Sequence, residues 1–184
     1  MESNISLMTI GVLLLGAVFP VALIMTWVYF RDRLREPVSV VVITMTLGGV
    51  MVVPILVVQA GLVLFFGLQW GIEQQTVAQA LILAFIVAAV VEESFKFGVL
   101  RLYSARHDAF DEPFDGIVYG VAASLGFALV ENVMYVVGSM VEGGFAGGAV
   151  VAVLRSLSAV PMHASCGVIM GACIGLSHFS KGVW

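Results

Sequence analysis

Residues 37–72 contain no charged side chain, and that run fixes the solvent in which this chain can fold. About 20 apolar residues of helix cross the ~30 Å hydrocarbon core of a bilayer, and only segments that satisfy their own backbone groups are stable there. The rest of the chain has the same character. Hydrophobic residues make up 61% and charged residues 11%, against roughly 25% charged in a soluble domain, and the mean hydropathy is +1.10. The expected fold is an all-α integral membrane protein with the lipid bilayer as its surroundings. The net charge of -4 is scattered over short loops with no basic cluster, which argues against a nucleic-acid partner.

The apolar runs divide into a bundle of about five transmembrane helices, at roughly 5–30, 38–68, 76–102, 115–139 and 149–179, forming a single domain over 1–184. The first lacks a positively charged leading region and is too long for a signal-peptide core, so it reads as a retained span. The second, with Gly48, Gly49 and Pro54 near its middle, reads as one kinked helix or a tight hairpin. Charge asymmetry favours one helix, because Arg31, Arg33, Arg35, Arg101, Arg106 and Lys181 then share a face, opposite Glu73 and Glu142. Basic loops stay cytoplasmic, so the N-terminus is expected outside and the C-terminus inside. Trp70 falls where an interfacial aromatic belt would lie. The segment VEGGFAGGAV reads as a mobile outer loop. Cys166 and Cys173, seven apart on one helix, are about 10.5 Å apart by helical rise, too far for a disulfide.

Against this background a few ionisable residues stand out. Glu92, Glu93 and Lys96 lie in AAVVEESFKFGVL, Glu131 in SLGFALVENVMYVV, and Arg155 and His163 in the last span. A charge near the bilayer centre costs about 2.5 to 3.5 kcal/mol even on insertion scales, so such residues are functional candidates by default. Glu92 and Lys96 have the favoured acid-first i,i+4 order, and Glu93 borders the same face. The three could equally neutralise one another at the membrane interface. Glu131 follows Phe127 by four and Ser124 by seven, and with Asn132 it could be a hydrogen-bonded helix contact. His163, Gly167, Gly171 and Gly175 recur every four residues, a track that admits a close helix, with Pro161 bending the chain before His163. That track could be packing alone.

Together these groups need pairing or water, since five isolated buried charges would cost on the order of 12 kcal/mol or more. A polar cavity between the third, fourth and fifth spans would supply both. It would hold what peptide hydrolysis requires: a carboxylate to activate water, a histidine to assist, and donors for the oxyanion. Glu92, Glu131 and His163 could instead hold a divalent metal such as Zn²⁺ with an open position, and residue types alone do not separate a metal-free site from a metal site.

The same residues resemble the PrsW family of intramembrane proteases, within the larger group of CAAX-processing enzymes. EESFK fits the family's EExxK, EPFDGIVYG its loop and following helix, GFALVENVMY its FxxxEN, and Arg155 to His163 its final motif, a match over about 90–177. The resemblance implies a multi-span protease of a prokaryotic cytoplasmic membrane that cleaves a single-span membrane protein, an anti-sigma factor in one well-known case. It implies that Glu92 or Glu93 activates water, that His163 and Glu131 complete the site, and that Lys96 and Arg155, with Asn132 beside them, support it. A homo-oligomer stays open.

Two features depart from this pattern. A polar residue often follows the final histidine by four, where this chain has Gly167, which leaves Ser165 or Arg155 as substitutes. Counting 1.5 Å per residue, Glu92 falls about 24 Å from the outer end of its span and Glu131 only about 12 Å from its own. A non-catalytic scaffold and a proton or cation pathway share the buried charges, though no inverted repeat favours a pathway.

Overall fold

The computed structural model describes residues 7–68 and 76–180, and Trp70, Glu73 and Lys181 lie outside them. Within the described residues the chain is helical, without strands. Helix α1 spans Leu7–Arg31. Helices α2 (Val38–Val50) and α3 (Val52–Phe65) follow with only Met51 between them, itself in the right-handed helical region. The segment therefore continues in one direction, and its break has a local cause: Pro54 has no N–H to give the Val50 carbonyl. Helix α3 stops at Gly67, whose φ of 63° lets the Leu68 amide reach back to the Val63 carbonyl at 2.9 Å.

Thr76 and Gln79 form a capping box that opens α4 (Val77–Leu81). The next nine residues, Ile82–Val90, are π-helical, and α5 (Val91–Leu102) continues from them. Helix α6 begins at Pro113, preceded by the N-cap Glu112, with proline in the first turn where its missing N–H costs nothing. It reverses at Gly144, where φ is 63° and ψ is -158°, so α6 has two antiparallel limbs. The glycine-rich stretch expected to be a mobile loop is thus helical on both sides of a single glycine. Helix α7 (Ala159–Phe179) follows a break at Ser158, where Pro161 again leaves a carbonyl, that of Leu157, without its amide.

Among the described residues, four helical stretches are long and apolar enough to cross a membrane: Leu13–Arg31, Val38–Phe65, Val77–Arg106 and Pro113–Phe179, the last including the reversal. Their outward side chains are apolar, with Phe19, Leu23, Val57, Phe85 and Ile169 all exposed, a surface matched to lipid rather than water. At one end of the bundle the 32–37 and 103–112 connections meet. The Thr44 and Ser104 hydroxyls bond at 3.0 Å, and Glu36 takes the Tyr29 hydroxyl on its carbonyl and the Tyr119 hydroxyl on its carboxylate. Arg31, Arg33, Arg35 and Arg106 belong to this end.

The first limb of α6 is the central helix, enclosed on nearly every side from Val118 to Ala128. Glycines bring its neighbours in. A Cβ on Gly48 would lie 2.0 Å from the Ala123 carbonyl oxygen, and one on Gly171 would lie 2.0 Å from that of Gly116. The glycine track of α7 therefore meets a second track, Gly116 and Gly120, on α6. Gly171→Ala is expected to destabilise by about 1–3 kcal/mol through overpacking against backbone that cannot yield, measured as a lower unfolding temperature in detergent. Gly61→Ala, where a Cβ meets nothing within 4 Å, should leave that temperature unchanged.

Candidate active site

Lys96 is the hub. Its side chain is fully buried, and its ammonium lies 2.8 Å from Glu93 Oε1, 3.5 Å from Glu92 Oε2 and 3.1 Å from His163 Nδ1. The Phe127 ring closes the remaining side, its centroid 4.2 Å from Nζ, and the His163 ring meets Phe127 edge-on at 5.4 Å. An ammonium cannot accept a hydrogen bond, so Nδ1 of His163 accepts and Nε2 carries the proton. That proton points to Glu131 Oε2, 3.1 Å away. Arg155 completes the chain, with one terminal nitrogen 2.5 Å from Glu131 Oε2 and Nε 2.7 Å from Asn132 Oδ1. Asn132 in turn donates to the Ala17 carbonyl of α1 at 3.3 Å. The Arg155 guanidinium also lies over the Tyr135 ring at 4.3 Å.

All seven residues singled out from the sequence thus lie in one connected network across α1, α5, α6 and α7. The depth difficulty with Glu131 dissolves for two reasons. The first limb of α6 runs past 139 to the Gly144 reversal, which sets Glu131 deeper than expected. The π-helical turns of Ile82–Val90 are wider than α turns and advance less per residue, which raises Glu92. Gly167 is required by packing, since a Cβ there would lie 2.6 Å from the Gly120 carbonyl oxygen. Ser165 is exposed and bonds its own helix at Pro161, so it does not substitute for the missing polar group.

Sequence reasoning missed Gln59. This α3 residue is buried and donates through Nε2 to Glu92 Oε1 at 3.3 Å. Its only signal was being an amide in the middle of the charge-free run. Ser124 Oγ is buried and without a hydrogen-bond partner, on the same stripe as Phe127 and Glu131.

A cavity of about 510 Å³ opens beside this network, lined by Gln59, Glu92, Phe127, Glu131, Tyr135 and Gly138 among others. It reaches the outer surface of the bundle, because Leu56, Met134 and Tyr135 on its wall are also exposed. Glu93 faces a different recess, with Phe97 and Cys166. The two neighbouring carboxylates therefore look out in different directions, one into the cavity and one away from it.

Residues 36–183 match the PrsW family of intramembrane metalloproteases. Protease PrsW of Bacillus subtilis is 34% identical over 167 residues, covering 90% of this chain and 68% of its own length. The Geobacillus kaustophilus protein of the same name is 35% identical over 169 residues, covering 91% and 68%. That of Oceanobacillus iheyensis is 31% identical over 163 residues, covering 89% and 68%. No solved structure matches the chain.

The family's description implies a bound metal, and the donors present can be tested for one. Ligand atoms of Glu92, Glu93 and His163 lie within 4.8 Å of one another, a spacing in the range of a metal's donor set. The space among them is taken by the Lys96 ammonium, which touches all three. Glu131 sits on the other ring nitrogen, held by Arg155. Neither trio fits a metal in this arrangement, because the cation the donors surround is already a side chain.

Proposed function

The chain belongs to the PrsW family and is an intramembrane protease; from that premise we propose that it hydrolyses a peptide bond in a single-span membrane protein, with Glu92 as the base that activates water. The observation that carries this reading is that Glu92 and Glu131 line one cavity while Glu93 does not. Glu92 takes a proton from water, and the water oxygen bonds to the scissile carbonyl carbon. The resulting oxyanion needs a donor. Lys96 supplies it: once Glu92 is protonated, its hold on the ammonium weakens and one N–H is free to turn. Collapse breaks the C–N bond, and Glu92 returns its proton to the leaving amine. Glu93 anchors Lys96, and the neutral His163 relays that position to Glu131 and Arg155.

The cavity's exposed apolar wall supports lateral admission of a transmembrane segment from lipid. It extends along α6 from Glu131 to Glu142 near the Gly144 reversal, the end away from the arginine-bearing loops. With those loops in the cytoplasm of a prokaryotic cell, the substrate reaches the site from the outer half of the membrane. Filling the cavity tests this reading. Nothing lies within 4 Å of a Cβ on Gly138, so Gly138→Trp should keep the unfolding temperature and abolish cleavage of a single-span substrate in liposomes. Full cleavage by a folded Gly138→Trp variant would contradict the assignment of the cavity.

A further inference from the structure

A second cluster of carboxylates lies at the other end of α6, and the reaction does not use it. Asp32 follows the end of α1, Glu112 caps α6, and Asp115 lies in the first turn of α6. Ligand oxygens of the three lie within 4.8 Å of one another. Asp115 is 0% exposed and Asp32 4%, and among the described residues no basic side chain pairs with any of the three.

Each aspartate has one oxygen satisfied and one left over. Asp115 Oδ2 accepts from the Asp111 and Glu112 amides at 2.8 and 2.7 Å, and Asp32 Oδ1 accepts from the Leu34 amide at 3.1 Å. Asp115 Oδ1 and Asp32 Oδ2 are buried with no partner. A buried carboxylate oxygen without donor or counter-charge is costly, and both belong to residues of this cluster. Neighbouring Glu36 adds a fourth acid to this end of the bundle, its carboxylate taking the Tyr119 hydroxyl.

We propose that Asp32, Glu112 and Asp115 bind a hard divalent cation, Ca²⁺ or Mg²⁺, that ties the α1–α2 connection to the start of α6. An all-oxygen, all-carboxylate donor set selects such ions over softer metals. The site is structural and separate from the protease centre: Asp115 and Glu131 are sixteen residues apart on one helix limb, about 24 Å by helical rise.

The test uses the purified protein in detergent, stripped with a chelator and titrated with CaCl₂ or MgCl₂ alone. Saturable binding at low-millimolar concentration or tighter is expected for at least one ion, with a rise in unfolding temperature that follows occupancy. Asp32→Asn, which keeps an acceptor for the Leu34 amide, should weaken that binding about tenfold or more and remove the thermal response. Asp115→Asn is the second variant, and its failure to fold does not affect the Asp32→Asn result. The proposal is overturned if neither ion binds saturably, if NaCl at equal ionic strength gives the same thermal response, or if Asp32→Asn binds like the wild type.

Discussion

Glu92→Gln is expected to reduce peptide hydrolysis by about 10²- to 10⁴-fold, the range for losing a positioned general base, with the fold intact. The substitution is nearly isosteric, and an amide oxygen can still accept the Gln59 hydrogen bond now made to Glu92 Oε1. Lys96 keeps its shorter bond to Glu93 and its contact with His163. What disappears is the carboxylate assigned to take the proton from water. Cleavage of a single-span substrate in liposomes, read beside the unfolding temperature, checks both halves. Glu93→Gln should behave differently, weakening the anchor of Lys96 and slowing the reaction while leaving measurable cleavage.

Lys96→Met should be the most destabilising single change in the site. The ammonium is fully buried and balances two carboxylates, and removing one partner of a buried charge set costs about 3–5 kcal/mol because the others are left uncompensated. Activity is lost as well, since the donor for the oxyanion goes with it. Combining Lys96→Met with Glu93→Gln distinguishes the two effects. The double variant should regain part of the lost stability, because one stranded charge is gone, and none of the activity. Thermal unfolding in detergent and cleavage in liposomes are the paired measurements.

Much of this site was legible in the sequence because charge in an apolar run is expensive. Glu92, Glu93, Lys96, Glu131, Arg155 and His163 were visible for that reason, and Asn132 by its place beside Glu131. Gln59 was not, because an uncharged amide in a span costs too little to mark itself out. The helical membrane fold was equally plain from the length of the uncharged runs. Its departures from regularity were not. The π-helical stretch reads ILAFIVAAV, with no glycine or proline to announce wider turns, and the geometry that brings Glu92 level with Glu131 depends on it. The α7 glycine track was visible at four-residue spacing, but its counterpart at Gly116 and Gly120 became apparent only once the two helices were seen packed. The division between Glu92 and Glu93 was also hidden. Adjacent residues on a helix differ by about 100°, and which of them faces the cavity depends on where α3 and α6 lie.

The central claim is that Glu92 does the chemistry and that a lysine, not a metal, is the cation its neighbours hold. The most direct measurement is cleavage of one single-span substrate in liposomes by the wild type, Glu92→Gln and Glu93→Gln, each with and without a transition-metal chelator. The account predicts that wild-type cleavage persists in chelator, that Glu93→Gln retains a reduced rate, and that Glu92→Gln falls by about 10²- to 10⁴-fold. Loss of wild-type cleavage in chelator with recovery on adding Zn²⁺, or undiminished cleavage by Glu92→Gln, would contradict it.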